Sequence, residues 1–428
     1  MEFFFILFIG LLVLIESKLY KTFFTPFAII ATVYAILIGV NNFFAIHFGY
    51  FEVSTQSITY ILFFLILIFL ISILFYLSMK RKSSLIQENV KCYFDGVIWR
   101  NRKIIKALFI FGLIAKYISL MQVVMIYGLA NTKGNDFGLF AHLGDIGVVL
   151  MPFMMVYYLW ERKKRYLLVI LLMFVNLLLF KGKYGIIIAF IHLIVLYAFI
   201  KDIKIKKTIK IGVILAVVGV LMFIIVYAVN PTIERGYFDQ QLFMEDLYFS
   251  VQHFLLYLIS PITATNHFFF HAPPQGENIQ ILFTVPINVL KALAGSNDYV
   301  NPINYDFVLI SDVYTTNVSG LFAESVYRSN AVIAFLYVGA FFAITYYFFI
   351  KTRYRGEMIG LTALLLAVVS MMFFVNLLTV SGIVLRVGTL WILELMIKNN
   401  FFLRSNKRYR QHSKNRRYNY ALSERRII

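Results

Sequence analysis

Two lysines, Lys181 and Lys183, interrupt the apolar run VNLLLFKGKYGIIIAFIHLIVLYAFI at residues 175–200, with no acidic residue near them in sequence. A cation in such a run is costly in lipid, so it either snorkels to phosphates at the membrane surface or holds an anionic group. Gly182 and Gly185 beside the lysines leave room for backbone and ligand to approach closely. Arg386, in VSGIVLRVGTLW, lies at a depth matching that of Lys183 and reads as an anion clamp facing the bundle interior. Lys116 sits deeper, near the middle of its apolar run, where a structural ion pair and a ligand role are equally open. Arg235, Lys291 and Arg328 are further cations that the distribution of charge places on the outer face.

A proton acceptor to work beside them could come from Asp246, His253 or Glu324. Asp246, Ser250 and His253 fall on successive turns of a helix, along a stripe rather than around one reacting atom, which argues against a hydrolytic triad. His253 is the favoured external histidine because a carboxylate lies seven residues back on its helix. His142, His267 and His271 read as loop residues with weaker context, and His192 as a buried structural histidine. Glu324 and Arg328 are one helical turn apart, so they can pair with each other or orient a sugar or a phosphate. No phosphate-binding loop, dinucleotide fingerprint, nucleophile elbow or zinc spacing occurs, so the reading calls for neither metal nor cofactor. The single cysteine, Cys92, excludes an intramolecular disulfide framework.

The elements that must position these residues are transmembrane helices. Of 428 residues, 61% are hydrophobic, 18% aromatic and only 14% charged, with a mean hydropathy of +0.80, which marks an all-α polytopic membrane protein. Hydropathy predicts about eleven spans of a length suited to the hydrocarbon layer. They lie near residues 2–16, 23–46, 57–79, 107–130, 145–160, 166–180, 184–200, 211–229, 330–350, 358–380 and 383–398. The formal charge of +19 is unevenly placed: most of the 40 Lys and Arg fall in alternate loops and in the tail. That bias sets the N-terminus outside and the C-terminus in the cytoplasm, and it makes the few external cations stand out. No cation precedes the first span, which reads as a retained helix rather than a secretory signal.

Four regions follow: spans at 1–229, a large outer loop at 230–329, three further spans at 330–398, and a basic tail at 399–428. The tail reads as a solvated cytoplasmic anchor near anionic headgroups, not as a nucleic-acid contact. Within the loop, DQQLFMEDLYFSVQHFLLYLISP reads as an amphipathic helix in the membrane interface or dipping into the bundle, because a full span would bury Glu245, Asp246 and His253 in lipid. Residues 271–317 are rich in Pro, Gly, Asn and Asp and read as turns and short pieces. No internal repeat supports a transporter of the inverted-repeat kind.

The spans, the outer loop before the last three, LLLFKGKYGIIIAF and TTNVSGLFAESVYRSNAVIAFLYVGAFF together resemble the Wzy-type oligosaccharide repeat-unit polymerases of O-antigen and capsule synthesis. Lys183, Tyr184 and Gly185 stand where that family has a small residue, Arg and Gly. Glu324 and Tyr327 stand near its Glu-x-Tyr pattern with one residue more between them, and Ser329 and Asn330 replace its following Gly. Pro286 and Lys291 in FTVPINVLKAL are similar to its proline segment followed by a base. Lys for Arg keeps the charge and loses the bidentate fork. The resemblance implies a metal-independent glycosyltransferase of the bacterial cytoplasmic membrane that acts at its outer face on polyprenyl-diphosphate-linked glycans. Its partners would be those substrates, membrane lipids and a chain-length regulator. Lys181, Lys183, Arg235, Lys291, Arg328 and Arg386 would bind substrate, and His253, Glu324 or Asp246 would accept the proton. A lipid-linked oligosaccharide flippase, an O-antigen ligase and a membrane O-acyltransferase are the competing classes. A flippase would need charged residues lining several spans and no large loop. The acyltransferase would need polar residues around a buried histidine, and His192 has none adjacent.

Overall fold

The computed structural model describes residues 1–79, 86–128, 138–180, 183–201, 228–229, 231–232, 235–271 and 279–399. Lys181, nearly all of the span expected at 211–229, and the tail beyond residue 399 lie outside the described residues, as does the Lys183 side chain.

The chain is helical almost throughout its described parts. In order, the helices are α1 (Glu2–Tyr20), α2 (Pro26–Phe43), α3 (Thr55–Met79), α4 (Ile86–Tyr93), α5 (Arg102–Tyr127), α6 (Leu139–Glu161) and α7 (Lys164–Leu179). They continue with α8 (Lys183–Lys201), α9 (Gln240–Thr263), α10 (Thr284–Leu293), α11 (Gly320–Tyr327), α12 (Ala331–Arg355), α13 (Ile359–Met371) and α14 (Ser381–Lys398). Among the described residues seven stretches are long and apolar enough to cross a membrane: α1, α2, α3, α5, α6, α12, and α9 with the turn Thr265–Phe268 after it. The last of these is the helix expected in the membrane interface or dipping into the bundle, and by length and composition it is also long enough to cross. Its acids Glu245 and Asp246 fall in its first two turns, so a long apolar stretch follows them. The helices α8, α10 and α13 are apolar and shorter.

Glycine sets the closest helix contact. A Cβ on Gly112 of α5 would lie 2.2 Å from the backbone nitrogen of Gly147 on α6, so only glycine lets these two backbones meet. The helix α6 is the most buried of the long spans, and α5, α7, α8 and α14 all pack on it. Two buried carboxylates fix helix starts elsewhere. Glu394 accepts from the backbone N–H groups of Gly360 and Leu361 at 2.9 and 3.0 Å, at the first turn of α13. Glu16 accepts from the Ala28 N–H at 3.0 Å and from the hydroxyls of Ser72, Thr25 and Tyr346, at the first turn of α2. Both satisfy donors that a buried helix start would otherwise leave unmade.

Before α12 the chain forms a small layer of extended and short helical pieces. Residues 301–310 alternate in exposure, with Ile303, Tyr305, Phe307 and Leu309 outward and Asp306, Val308 and Ile310 turned inward, as an extended segment dictates. The short strands β1 (Val308–Leu309) and β2 (Thr315–Thr316) pair antiparallel. Gly320 opens α11 at φ +67°, where a Cβ would lie 2.3 Å from the Phe373 carbonyl. The Leu321 N–H then donates to the Met372 carbonyl at 2.8 Å. The segment between α13 and α14 is thereby held against α11.

Candidate functional site

The glycine contact between α5 and α6 brings the Lys116 side chain to Asp145, and Arg386 of α14 reaches the same carboxylate. Lys116 Nζ stands 3.6 Å and Arg386 Nε 2.9 Å from one oxygen, Asp145 Oδ1. Their side chains are 0%, 11% and 8% exposed for Lys116, Arg386 and Asp145, so the group is withdrawn from water. Asn176 of α7 donates to the Lys116 carbonyl at 3.2 Å and ties a fourth helix to the cluster.

Lys116 and Arg386 thus bring positive charge to a poorly solvated place. The surroundings have the same sign. Asp145, Gly185 and Arg386 each lie within the first two turns of α6, α8 and α14, whose N-terminal ends carry positive partial charge. A Cβ on Gly185 would lie 3.2 Å from Arg386 Nη1, so the missing side chain lets the guanidinium reach the first turn of α8, which Lys183 opens. Arg386 thus spends its Nε edge on Asp145 and presents its outer nitrogens to that turn.

Other residues expected to bind or react have partners that occupy them. Arg235 Nη2 is 2.6 Å from Asp246 Oδ2, so the two charges offset each other. That ion pair holds the Arg235 guanidinium above its usual value. Lys291 pairs with Asp298 at 3.0 Å on the exposed rim of α10. His253 stacks on Phe249 and meets Tyr257 edge-on along α9, with ring centroids 5.6 and 4.8 Å away. In this structure Arg235 and Lys291 are thus each held by a carboxylate, and His253 lies among aromatic rings of α9. His192 is buried, with Nε2 3.0 Å from the Gly360 carbonyl, a structural histidine.

A second polar group lies on and around α11. Glu324 is buried with Oε2 3.3 Å from the Asn376 N–H, and burial pushes its carboxyl up to about 8. The protonated form therefore predominates at neutral pH. Arg328 is buried with its guanidinium 5.2 Å from the centre of the Tyr327 ring, and burial lowers it to about 10. The Tyr327 hydroxyl donates to Asp306 Oδ2 at 2.7 Å, and His267 Nε2 stands 3.4 Å from the same oxygen. The His271 ring stacks on His267 with centroids 4.1 Å apart. The imidazole and carboxylate remain about one-third and one-quarter exposed, at 33% and 26%.

The sequence reading passed over Asp145 and ranked His267 low. Asp145 was legible as an acid within an apolar run, which deserves a functional reading by itself. The pairing of His267 with Asp306 crosses 39 positions and has no local signal. Among the described residues no three His, Cys, Asp or Glu side chains form a group that could hold a metal ion. Comparison with known proteins finds no match among family models, curated proteins or solved structures.

Proposed function

We propose that this chain is a membrane glycosyltransferase that polymerises polyprenyl-diphosphate-linked oligosaccharide repeat units at the outer face of a bacterial cytoplasmic membrane. The observation that carries the reading is the cluster of Lys116, Asp145 and Arg386: two cations share one carboxylate oxygen where three helix starts lie together. Such a place suits a dianionic group at the depth of a lipid headgroup. The resemblance of LLLFKGKYGIIIAF and the outer loop to repeat-unit polymerases supplies the substrate class.

In the reaction a sugar hydroxyl of one lipid-linked unit attacks the anomeric carbon of another. The bond from that carbon to the diphosphate oxygen breaks, its electron pair stays with the diphosphate, and polyprenyl diphosphate leaves. Arg386 and Lys183 would stabilise the negative charge that grows on the leaving group, an effect that acts strongly where water is excluded. Asp145 would hold Arg386 in the orientation that directs its outer nitrogens toward α8, a positioning role.

The test is a complemented deletion strain. Changing Arg386 or Lys183 to Ala should leave the protein inserted and abundant while long surface glycan disappears and single-repeat lipid-linked units persist. Unchanged glycan length in both variants contradicts the proposal. Loss of all surface glycan with the lipid-linked unit accumulating on the inner face would assign the chain to the flippases.

A further inference from the structure

We infer that His267, held by Asp306, is the group that takes the proton from the attacking sugar hydroxyl. The inference rests on the polymerase reading and names a residue for a step that reading requires. Three observations carry it.

The first is the constellation itself. One oxygen of Asp306 faces His267 Nε2 at 3.4 Å and accepts from the Tyr327 hydroxyl at 2.7 Å. A carboxylate on one ring nitrogen fixes the tautomer and the ring plane, and it stabilises the imidazolium formed when the other nitrogen gains a proton. Nδ1 is the nitrogen left to accept, and it has no hydrogen-bond partner among the described residues. The second observation is accessibility. The imidazole is one-third exposed, accessible to a sugar hydroxyl, whereas Glu324 on the neighbouring helix is buried. The third is placement. The turn bearing His267 packs on α11, and α11 is fastened through Leu321 and Glu324 to the segment that runs into α14 and Arg386. One short piece of chain therefore connects the proton-accepting group to the cation that meets the leaving group.

The groups around His267 make it neutral, as a base must be. Burial lowers its affinity for a proton first, then the stacked His271, while Asp306 acts in the opposite sense. Tyr327 and, beyond it, Arg328 and Glu324 come from α11. From the α3 side come Tyr60, which meets Phe269 and Phe270, and Glu52, whose carbonyl accepts from Asn266. In the step, the hydroxyl oxygen forms its bond to the anomeric carbon as its proton passes to His267 Nδ1, and the bond to diphosphate breaks.

The test uses purified full-length protein in liposomes, supplied with lipid-linked repeat units extracted from a strain deleted for this gene. Elongation should fall by about a hundredfold or more in His267→Gln, the size of a lost general base, with membrane abundance unchanged. In His271→Gln the acid limb should move to higher pH, because a cause that lowers the His267 value is gone, with the rate above that limb within about threefold of wild type. In Asp306→Asn the rate should drop and its acid limb should move to lower pH, because a cause that raises the His267 value is gone. Where His267→Gln fails to accumulate, the pH profile of Asp306→Asn decides: an unmoved acid limb overturns the assignment. Near-normal elongation by His267→Gln beside an inactive Arg386→Ala also overturns it and leaves the polymerase reading standing. Full activity of both variants overturns the two together.

Discussion

Asp145 shows how much one side chain can carry. Lys116 and Arg386 converge on its Oδ1, so removing the carboxylate leaves two buried cations facing each other. Asp145→Ala should lower stability by about 3–5 kcal/mol, the cost of breaking a buried pair from one side. Adding Lys116→Met should recover part of that loss, and thermal unfolding of the purified variants in detergent checks both values. Glu324 makes a different prediction. Its carboxyl is raised from 4.5 to about 8 by burial, so the folded state binds this proton more tightly than the unfolded chain does. Its stabilising contribution is complete below about 4.5 and is lost as pH rises through about 8. Glu324→Gln should match wild type in melting temperature near pH 5 and exceed it near pH 9. An unchanged pH dependence would rule out a buried, protonated Glu324. At this scale the sequence exposes cations well, because a Lys or Arg in an apolar run is conspicuous. Their partners are less visible: Asp246 claims Arg235 and Asp298 claims Lys291 only once helices and turns are folded.

Among the helices, spacing between α5 and α6 decides whether the cation cluster exists. Gly112 and Gly147 let the backbones touch, and Lys116 lies one turn from Gly112 while Asp145 lies two residues from Gly147. Gly147→Leu should force the helices apart and abolish glycan elongation even though it alters no charged residue. A glycan ladder that keeps its length in a stably inserted Gly147→Leu protein would contradict this account. Gly185→Val should act more locally, displacing Arg386 from the first turn of α8 with little loss of melting temperature. Hydropathy makes the spans α3, α5, α6 and α12 legible because apolar runs of that length are unambiguous. It is less decisive for α9. There the acids near the N-terminus suggest an interfacial helix, and the length of the stretch that follows is that of a span. The inward turn of Asp306 depends on a two-residue alternation that a Pro- and Asn-rich segment conceals.

Across the whole molecule, the orientation proposed from the distribution of basic residues would put α4 and its exposed Cys92 inside and α10 and α11 outside. A membrane-impermeant maleimide should spare Cys92 in intact spheroplasts and label it after permeabilisation. With Cys92 replaced by Ser, a cysteine at Ser296 should label in both conditions, and the reverse pattern would invert the topology. That orientation would turn the cation cluster and the His267–Asp306 pair toward the same face of the membrane, as the proposed glycosyl transfer requires. The most direct test of that central claim is elongation by the purified protein in liposomes, using lipid-linked repeat units from the deletion strain. The account predicts a ladder of longer lipid-linked glycans with release of polyprenyl diphosphate from wild type, and neither product from Arg386→Ala. A wild-type protein that makes no ladder, or an Arg386→Ala protein that makes the same ladder, would contradict it.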